Sequence, residues 1–578
     1  MPVDREKLSE LKERYDRAVK LMEEDAKSDP EAEPFRSHYA ARDILLEVRG
    51  NLEKMISQDI EEEAKLIYKA LLGFIYKNLG QIYIYVEEIT TGRKYLQDCI
   101  DLLEDLNTNP DAVIPLVGSL NQLGILQSNC GENEDAKESF RKAEKIYNDF
   151  NATTNVEPLT TINDLFATKE EIESGAGRIM LEKIHTLTLY NMAKVLCTLG
   201  ESDASRLYCH NTLKRELQFS DYDHIDWALN AATLSQCFLH PGMLKNARHH
   251  LAAATFIMEK FEGQMLKPEM SEDETSAQLE TFKHRMADVS RCWAKYGLFI
   301  LSHSKERLME DKETSDGAEI QNLSLTDLTF PLDLDHFENK ITDQPVLMFE
   351  DAKEVYLFVL GHLNRAKEYY TPDNLASEYS KIIMDLSSML KYLAFFEENE
   401  DDQCKLYKKQ ADHLEDLSEL LNPTYYLIIC REVWYELGIT YMTMLDIKLD
   451  KLKTNDRPSP HALNKVNTLC DKGINNFGKF LESFPKIDET TNDEDMQLIL
   501  YAYFHLGRLY YKKITPDKKM QYFNLDNSLK NYQLFISGST QRDFLAKNLK
   551  GEIGCCREMV KLLPMKLAQI QAVINSSS

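Results

Sequence analysis

A repeated spacing of small and bulky residues starts in Leu79–Cys99, which reads LGQIYIYVEEITTGRKYLQDC. Counting from Gly80, a small residue follows 12 positions later, a bulky residue 16 later and another small residue 19 later. This spacing is typical of tetratricopeptide repeats, because two antiparallel helices approach closely at the small residues while the bulky side chain fills the space between them. The same register recurs at Leu123–Ala143, Met192–Thr212 and Leu234–Ala254. The recurrence favours a helical-repeat fold over the alternative, an ordinary helical bundle with coincidental alanines and glycines.

The second half of the chain carries the first helix of the same pattern more strictly. Both Trp434–Tyr441 (WYELGITY) and Tyr503–Tyr510 (YFHLGRLY) read aromatic-x-x-Leu-Gly-x-x-Tyr. We predict that the second helix of each pair arrives late, after polar loops at 451–461 and 515–526. The residues that complete the two pairs are Gly473, Phe477 and Phe480 for the first, and Ser528, Tyr532 and Phe535 for the second.

Residues 310–345 interrupt the helical periodicity. They are acidic and contain two prolines. We therefore predict an N-terminal solenoid at 1–309, an acidic linker at 310–345 and a C-terminal solenoid at 346–578. The predicted fold class is all-α, a tetratricopeptide-like right-handed α-solenoid in two halves joined by a linker. A Thr- and Asn-rich insertion is expected at 151–177.

The charge of the chain limits its choice of partner. There are 95 acidic and 68 basic residues, which gives a formal net charge of −27. Binding to nucleic acid or to an anionic membrane needs clustered Lys and Arg, so neither is expected. The charge suits a basic protein partner, because long-range attraction raises the rate of encounter. Solubility alone is the alternative explanation of the acidic composition.

The motifs of common catalytic sites do not occur in the sequence. There is no G-x-x-x-x-G-K-[ST], G-x-G-x-x-G, H-E-x-x-H or G-x-S-x-G. His249 and His250 are neighbours on a helix and point in different directions, so they cannot both ligate one ion. We predict that the protein is not an enzyme and has no cofactor, metal or small-molecule substrate. The 11 cysteines are odd in number and without a C-x-x-C pair, which favours a reducing compartment. The polar N-terminus and the lack of a long apolar run predict a cytoplasmic protein without membrane insertion.

The first helix of each tetratricopeptide pair is expected to line a groove. Residues three before and one after its small residue should point into that groove. The rule selects Lys77, Gln81, Asn121, Ile125, Tyr190, Lys194, Ala232 and Gln236, with Asn191 and Thr233 at the edge. Ordinary hydrated helix positions are the alternative. A clamp for a chaperone tail would need cations where the third pair has Leu187 and Asn191, so that clamp is incomplete.

Several segments resemble the KIF-binding protein family over essentially the whole chain. The most distinctive are His210–Leu217 (HNTLKREL) and Trp227–Gln236 (WALNAATLSQ). The others are Pro34–Val48, Asn121–Leu126, Leu393–Glu397, Leu421–Leu427 and Leu562–Lys566.

The resemblance implies a function. Members of this family are expected to bind kinesin motor domains across a concave face and to cover the surface that the motor uses on microtubules. The family is associated with axon outgrowth, neurogenesis and neuronal microtubule organisation, so the protein is expected to associate with the cytoskeleton. An acidic competitor is electrostatically sensible, because a motor's track-binding face is basic. A general scaffold or cargo adaptor without motor inhibition is the alternative.

The resemblance and the groove rule together select the candidate contact residues for a kinesin motor: Tyr190, Asn191, Lys194, Glu216, Thr233 and Gln236. Thr233 lies in a segment that matches the family pattern. Near Tyr190 the family pattern resembles Tyr-Tyr-Leu-Ala-Gln, whereas this chain ends that segment in Lys194, and Glu216 stands in place of a Gln. Mutual pairing of Lys194 with Glu216 is the alternative to contact with a motor.

Overall fold

The structure, a computed structural model, describes most of the chain. The described residues are 4–153, 158–167, 175–220, 222–265, 272–309, 328–453, 459–484, 487, 491–540 and 542–577. Every regular element in these ranges is helical, and none is a strand. The predicted all-α class is therefore confirmed.

The α-helices vary from single turns to long rods, and two short 3₁₀ turns occur at Asp25–Ser28 and Glu104–Leu106. The α-helices are α1 Arg5–Glu23, α2 Arg36–Ile56, α3 Glu62–Tyr85, α4 Ile89–Leu103, α5 Val113–Asn129, α6 Asn133–Ala152, α7 Ile162–Phe166, α8 Ala176–Thr198, α9 Ser202–Phe219, α10 His224–Gln236, α11 Leu244–Met265, α12 Glu272–Met309, α13 Asp335–Glu338, α14 Phe349–Tyr369, α15 Pro372–Phe396, α16 Glu400–Leu420, α17 Pro423–Lys453, α18 Pro460–Glu482, α19 Asp493–Lys512, α20 Lys518–Ser539, α21 Asp543–Asn548 and α22 Lys550–Ser577.

The chain divides into two compact units. The first comprises Met1–Asp223 with Ala318–Pro331, and the second comprises His224–Gly317 with Leu332–Ser578. Helices α12 and α14, on either side of the segment predicted as a linker, pack against each other within the second unit. The structural division thus follows α9 in the sequence, whereas the three-part division at 310–345 stays a prediction, and 310–327 lie outside the described residues.

Paired helices build the first unit. Consecutive helices pack as α1 with α2, α3 with α4, α5 with α6 and α8 with α9. A Cβ built on Gly80 would lie 2.8 Å from the side chain of Leu96, and one built on Gly124 would lie 2.8 Å from the ring of Phe140. The bulky residue 16 positions after the small one therefore fills the narrowest gap between the two helices, as the spacing predicted.

The same packing recurs in the second unit. A Cβ built on Gly438 would lie 2.6 Å from the Phe477 ring, and one built on Gly507 would lie 2.7 Å from the Tyr532 ring. The pairs α17 with α18 and α19 with α20 are therefore tetratricopeptide-like.

The two predicted long loops differ in outcome. The predicted loop at 515–526 is wrong from Lys518 onward, because α20 begins there. The Asp517 carboxylate caps this helix by accepting a hydrogen bond from the Lys519 N–H at 2.9 Å. The loop at 451–461 is shortened from both ends by α17 and α18, and 454–458 lie outside the described residues.

The described part of the insertion predicted at 151–177 is ordered by local contacts. Its helix α7 is capped by Thr161, whose hydroxyl accepts from the Asp164 N–H at 3.3 Å while Asp164 accepts from the Thr161 N–H at 2.7 Å. Helix α7 packs on α1 and α3. The rest of the insertion, 154–157 and 168–174, lies outside the described residues.

Candidate partner-binding surface

Helix α8 presents an exposed strip with several apolar side chains. The strip, called the α8 strip here, consists of Ile179, Lys183, Leu187, Tyr190 and Lys194. Intervals of three and four residues place these side chains on one face of the helix. Ile179 is 61% exposed, Leu187 41% and Tyr190 56%, whereas the opposite face of α8 is buried. Exposed apolar side chains in a continuous row are typical of surfaces that bind another protein.

A buried carboxylate fixes α8 to its neighbours. Glu182 is 4% exposed, forms ion pairs with Arg178 and Arg215, and accepts a hydrogen bond from the Tyr147 hydroxyl at 2.7 Å. These contacts tie α8 to α6 and α9. Because a buried charge is tolerated only when its partners are in place, the cluster holds α8 in one orientation.

An aromatic stack reinforces the same contact. The rings of His185 and Tyr147 lie 3.6 Å apart and nearly parallel. Burial, with a smaller effect from the charge of Arg215, lowers the pKa of His185 to about 3. The imidazole is therefore neutral at neutral pH, which suits its position beside a guanidinium.

A cavity of about 340 Å³ adjoins the strip between α8 and α9. Ile179 and Glu216 line it together with Phe219, whose ring is 43% exposed. The structure therefore brings Glu216 next to one end of the α8 strip. Lys194 is exposed at the other end of the strip.

Asn191, Thr233 and Gln236 have different surroundings. Asn191 is half-buried and donates to the Leu187 carbonyl of its own helix at 2.8 Å. In the second unit Thr233 is exposed on α10. Gln236 is half-buried and donates to the Cys292 carbonyl of α12 at 3.3 Å, while its side-chain oxygen is buried without a hydrogen-bond partner among the described residues. Gln236 thus connects two helices of the second unit.

The groove rule is wrong for two of the positions it selected. Asn121 is 1% exposed: its amide donates to the Ile184 carbonyl at 2.9 Å and its oxygen accepts from Thr188 at 2.9 Å. Ala232 is fully buried. The reason is that first helices of successive pairs also pack on each other, as α5 does on α8, so a position one turn from the small residue faces the next pair.

Sequence reasoning missed three apolar members of this surface, namely Ile179, Leu187 and Phe219. Leu187 was considered only as a position where a clamp would need a cation. A signal was present: Ile179, Leu187 and Tyr190 share one face of α8 that is distinct from the face with Met192. A second apolar row on a repeat helix is a better indication of an exposed binding surface than a fixed number of residues counted from the small residue.

The described ranges contain neither a helix suited to span a membrane nor a cluster suited to hold a metal ion. No helix there is both long and apolar enough to cross a membrane. No cluster of three or more His, Cys, Asp or Glu side chains in those ranges is arranged to hold a metal ion.

The helix pairs and the exposed strip define the class of protein, a helical-repeat scaffold of the kind that binds other macromolecules. The family model described as KIF-1 binding protein C terminal matches residues 225–570. The chain belongs to the KIF-binding protein family. A KIF-binding protein of Drosophila melanogaster is 41% identical over 598 aligned residues, which cover 100% of this chain and 99% of the relative.

More distant relatives extend the same similarity. The KIF-binding protein of Homo sapiens is 29% identical, with 97% of this chain and 98% of the relative covered. A solved structure described as kinesin binding protein (KBP) matches with a TM-score of 0.64 at 25% identity, over 96% of this chain and 98% of that chain. The similarity therefore extends over nearly the full length of this chain and of each of these relatives.

Proposed function

We propose that this protein binds kinesin motor domains and prevents them from binding microtubules, without catalysing a reaction. The observation that carries the proposal is the full-length similarity to relatives whose names state that they bind KIF or kinesin proteins. The proposal places the protein in the cytoplasm, in association with the cytoskeleton, and gives it a part in axonal microtubule organisation.

The α8 strip supports the proposal as the contact surface. Aromatic side chains that are rigid and exposed are common anchors of protein interfaces, and Tyr190 has this character. Leu187 and Ile179 extend the apolar contact along the helix, and Glu216 adds a carboxylate beside it. We propose that Asn191 and Lys194 contribute polar contacts on the same helix, and that Thr233 and Gln236 contribute from α10.

The charge of the chain supports inhibition in particular. Tubulin is acidic, so the face of a motor that touches it is basic, and a protein of net charge −27 is attracted to that face. A partner that covers this face competes directly with the microtubule.

Direct binding of purified components tests the proposal. We expect the full chain to co-elute with at least one kinesin motor domain in size-exclusion chromatography at micromolar concentration. The matched comparison uses the tail of the same kinesin. Co-elution with tails alone would overturn the proposal and indicate a cargo adaptor.

A further inference from the structure

A second candidate binding site lies in the second unit, and none of the six candidate kinesin contacts lines it. A cavity of about 340 Å³ is formed by α11, α12, α13 and α14. Its floor is aromatic: Trp293 is 2% exposed, and its ring meets that of Phe358 edge to face with centroids 5.2 Å apart. The Trp293 N–H donates to the Thr255 hydroxyl at 2.9 Å, so this aromatic floor needs no polar partner from a ligand.

His362 provides an unused polar atom in this cavity. Its ring stacks on Trp293 at 5.7 Å and lies 4.6 Å from Phe358. The Nδ1 atom is buried and has no hydrogen-bond partner in the part of the chain that the structure describes. A buried polar atom without a partner lowers stability, so it is usually satisfied by something else. Burial also lowers the pKa of His362 to about 3, which keeps the imidazole neutral and able to donate one N–H.

Two cations line the same cavity without an anionic partner. Lys340 and Arg365 form no ion pair with any described residue, and the Lys340 ammonium lies 5.0 Å from the Phe337 ring centroid. Both cations line the same cavity as His362. In a chain with 95 acidic residues, two neighbouring cations without an acidic partner are available for an anion from outside.

One carboxylate limits the kind of anion. Glu259 lines this cavity and a neighbouring one of about 520 Å³, which also includes Arg365, Glu262 and Glu368. With two cations and one carboxylate in its own lining, the cavity suits a singly charged group better than a phosphate dianion. The Glu259 carboxylate is also an acceptor for an N–H group of the ligand.

We propose that this cavity binds a carboxylate carried on an apolar body, as presented by an acidic peptide segment of a partner protein. Arg365 and Lys340 hold the carboxylate, and His362 donates to it from Nδ1. The aromatic floor packs against the apolar body, and Glu259 accepts from a peptide N–H. The volume is within the range of ligand sites and suits roughly one or two residues. This inference goes beyond the proposed kinesin binding and does not depend on it.

The test uses the full chain and N-acetyl-phenylalanine, which combines a carboxylate, an aromatic ring and one amide N–H. Saturation-transfer NMR should detect binding with a dissociation constant of about a millimolar, as expected for so small a ligand. The neutral analogue N-acetyl-phenylalaninamide should bind at least about tenfold more weakly. Equal binding of the acid and the amide would overturn the proposal, as would no binding of the acid at ten millimolar.

The variants separate this site from general charge effects. The double variant Lys340→Gln with Arg365→Gln changes two exposed side chains and should weaken binding of the acid by about tenfold or more. The control Lys353→Gln lies on the same helix α14, where Lys353 pairs with Glu350 outside the cavity, and should bind as the wild type does. An unchanged affinity in the double variant, or an equal loss in the control, would overturn the proposal.

Discussion

At the scale of single residues, a few glycines hold the paired helices at their closest distance. Gly124 faces the buried ring of Phe140, whereas Gly50 lies within α2 with no atom within 4 Å of an added Cβ. The two glycines therefore have opposite roles, although both are helical.

We predict that Gly124→Ala destabilises the protein and Gly50→Ala does not. The new methyl group would overlap the Phe140 ring and force the helices apart, at a cost of about 1–3 kcal/mol. At Gly50 the better helix propensity of alanine should stabilise by up to about 1 kcal/mol. Urea unfolding followed by circular dichroism measures both changes, and equal stability of the two variants would contradict the packing described here.

The neutral state of His185 makes stability depend on pH. In the folded chain its pKa is lowered to about 3, whereas in the unfolded chain it is about 6.5. Between these values the unfolded state binds more protons, so the stabilisation from this site is present at neutral pH and is lost as the pH falls.

A variant isolates this effect. His185→Phe keeps a ring against Tyr147 but does not titrate. From pH 7.5 to pH 5 the wild type should lose about 2 kcal/mol of unfolding free energy relative to the variant. Chemical unfolding of both proteins at both pH values measures this loss. If the difference in unfolding free energy between wild type and variant were the same at pH 7.5 and pH 5, His185 would be accessible to protons in the folded state.

At the scale of helices, the contacts within each helix pair could be predicted from the sequence more reliably than the exposure of single residues. The contact of Gly80 with Leu96 follows from a spacing fixed by helix geometry, so it can be found without the structure. The burial of Asn121 could not be found in this way, because it depends on the rotation of one pair relative to the next. A helix start in polar sequence was also missed, because the Asp517 carboxylate caps α20 within the segment predicted as a loop.

The α8 strip gives a prediction at the same scale. Leu187→Ala with Tyr190→Ala should weaken binding to a kinesin motor domain by at least about tenfold, because two exposed anchors are removed from an interface. Circular dichroism should be unchanged, since both side chains are exposed. On α10, Thr233→Arg should weaken binding as well, by placing a cation against a basic motor.

A matched control on another helix keeps this prediction specific. Tyr425 is 79% exposed on α17, so Tyr425→Ala removes an equally accessible aromatic ring. The control should bind motors as the wild type does. An equal loss from the control, or an unchanged affinity in the strip variants measured by biolayer interferometry, would place the interface elsewhere.

At the scale of the whole molecule, net charge should govern how fast partners meet. With a charge of −27, the association rate constant for a basic motor domain should fall by about tenfold between 50 and 300 mM salt. The dissociation rate constant should change less, because apolar contacts of the α8 strip are not screened by salt. Stopped-flow measurements separate the two, and an association rate independent of salt would contradict an electrostatic approach.

Microtubule co-pelleting measures whether the chain keeps a kinesin motor domain from its microtubule. A kinesin motor domain that binds the chain is mixed with microtubules and a non-hydrolysable nucleotide, with and without a micromolar excess of the chain. We predict that most of the motor moves from the pellet to the supernatant with the wild type, and that the Leu187→Ala, Tyr190→Ala variant leaves it in the pellet. A bound motor that still pellets fully with wild-type protein would show that the chain binds motors without blocking their contact with microtubules.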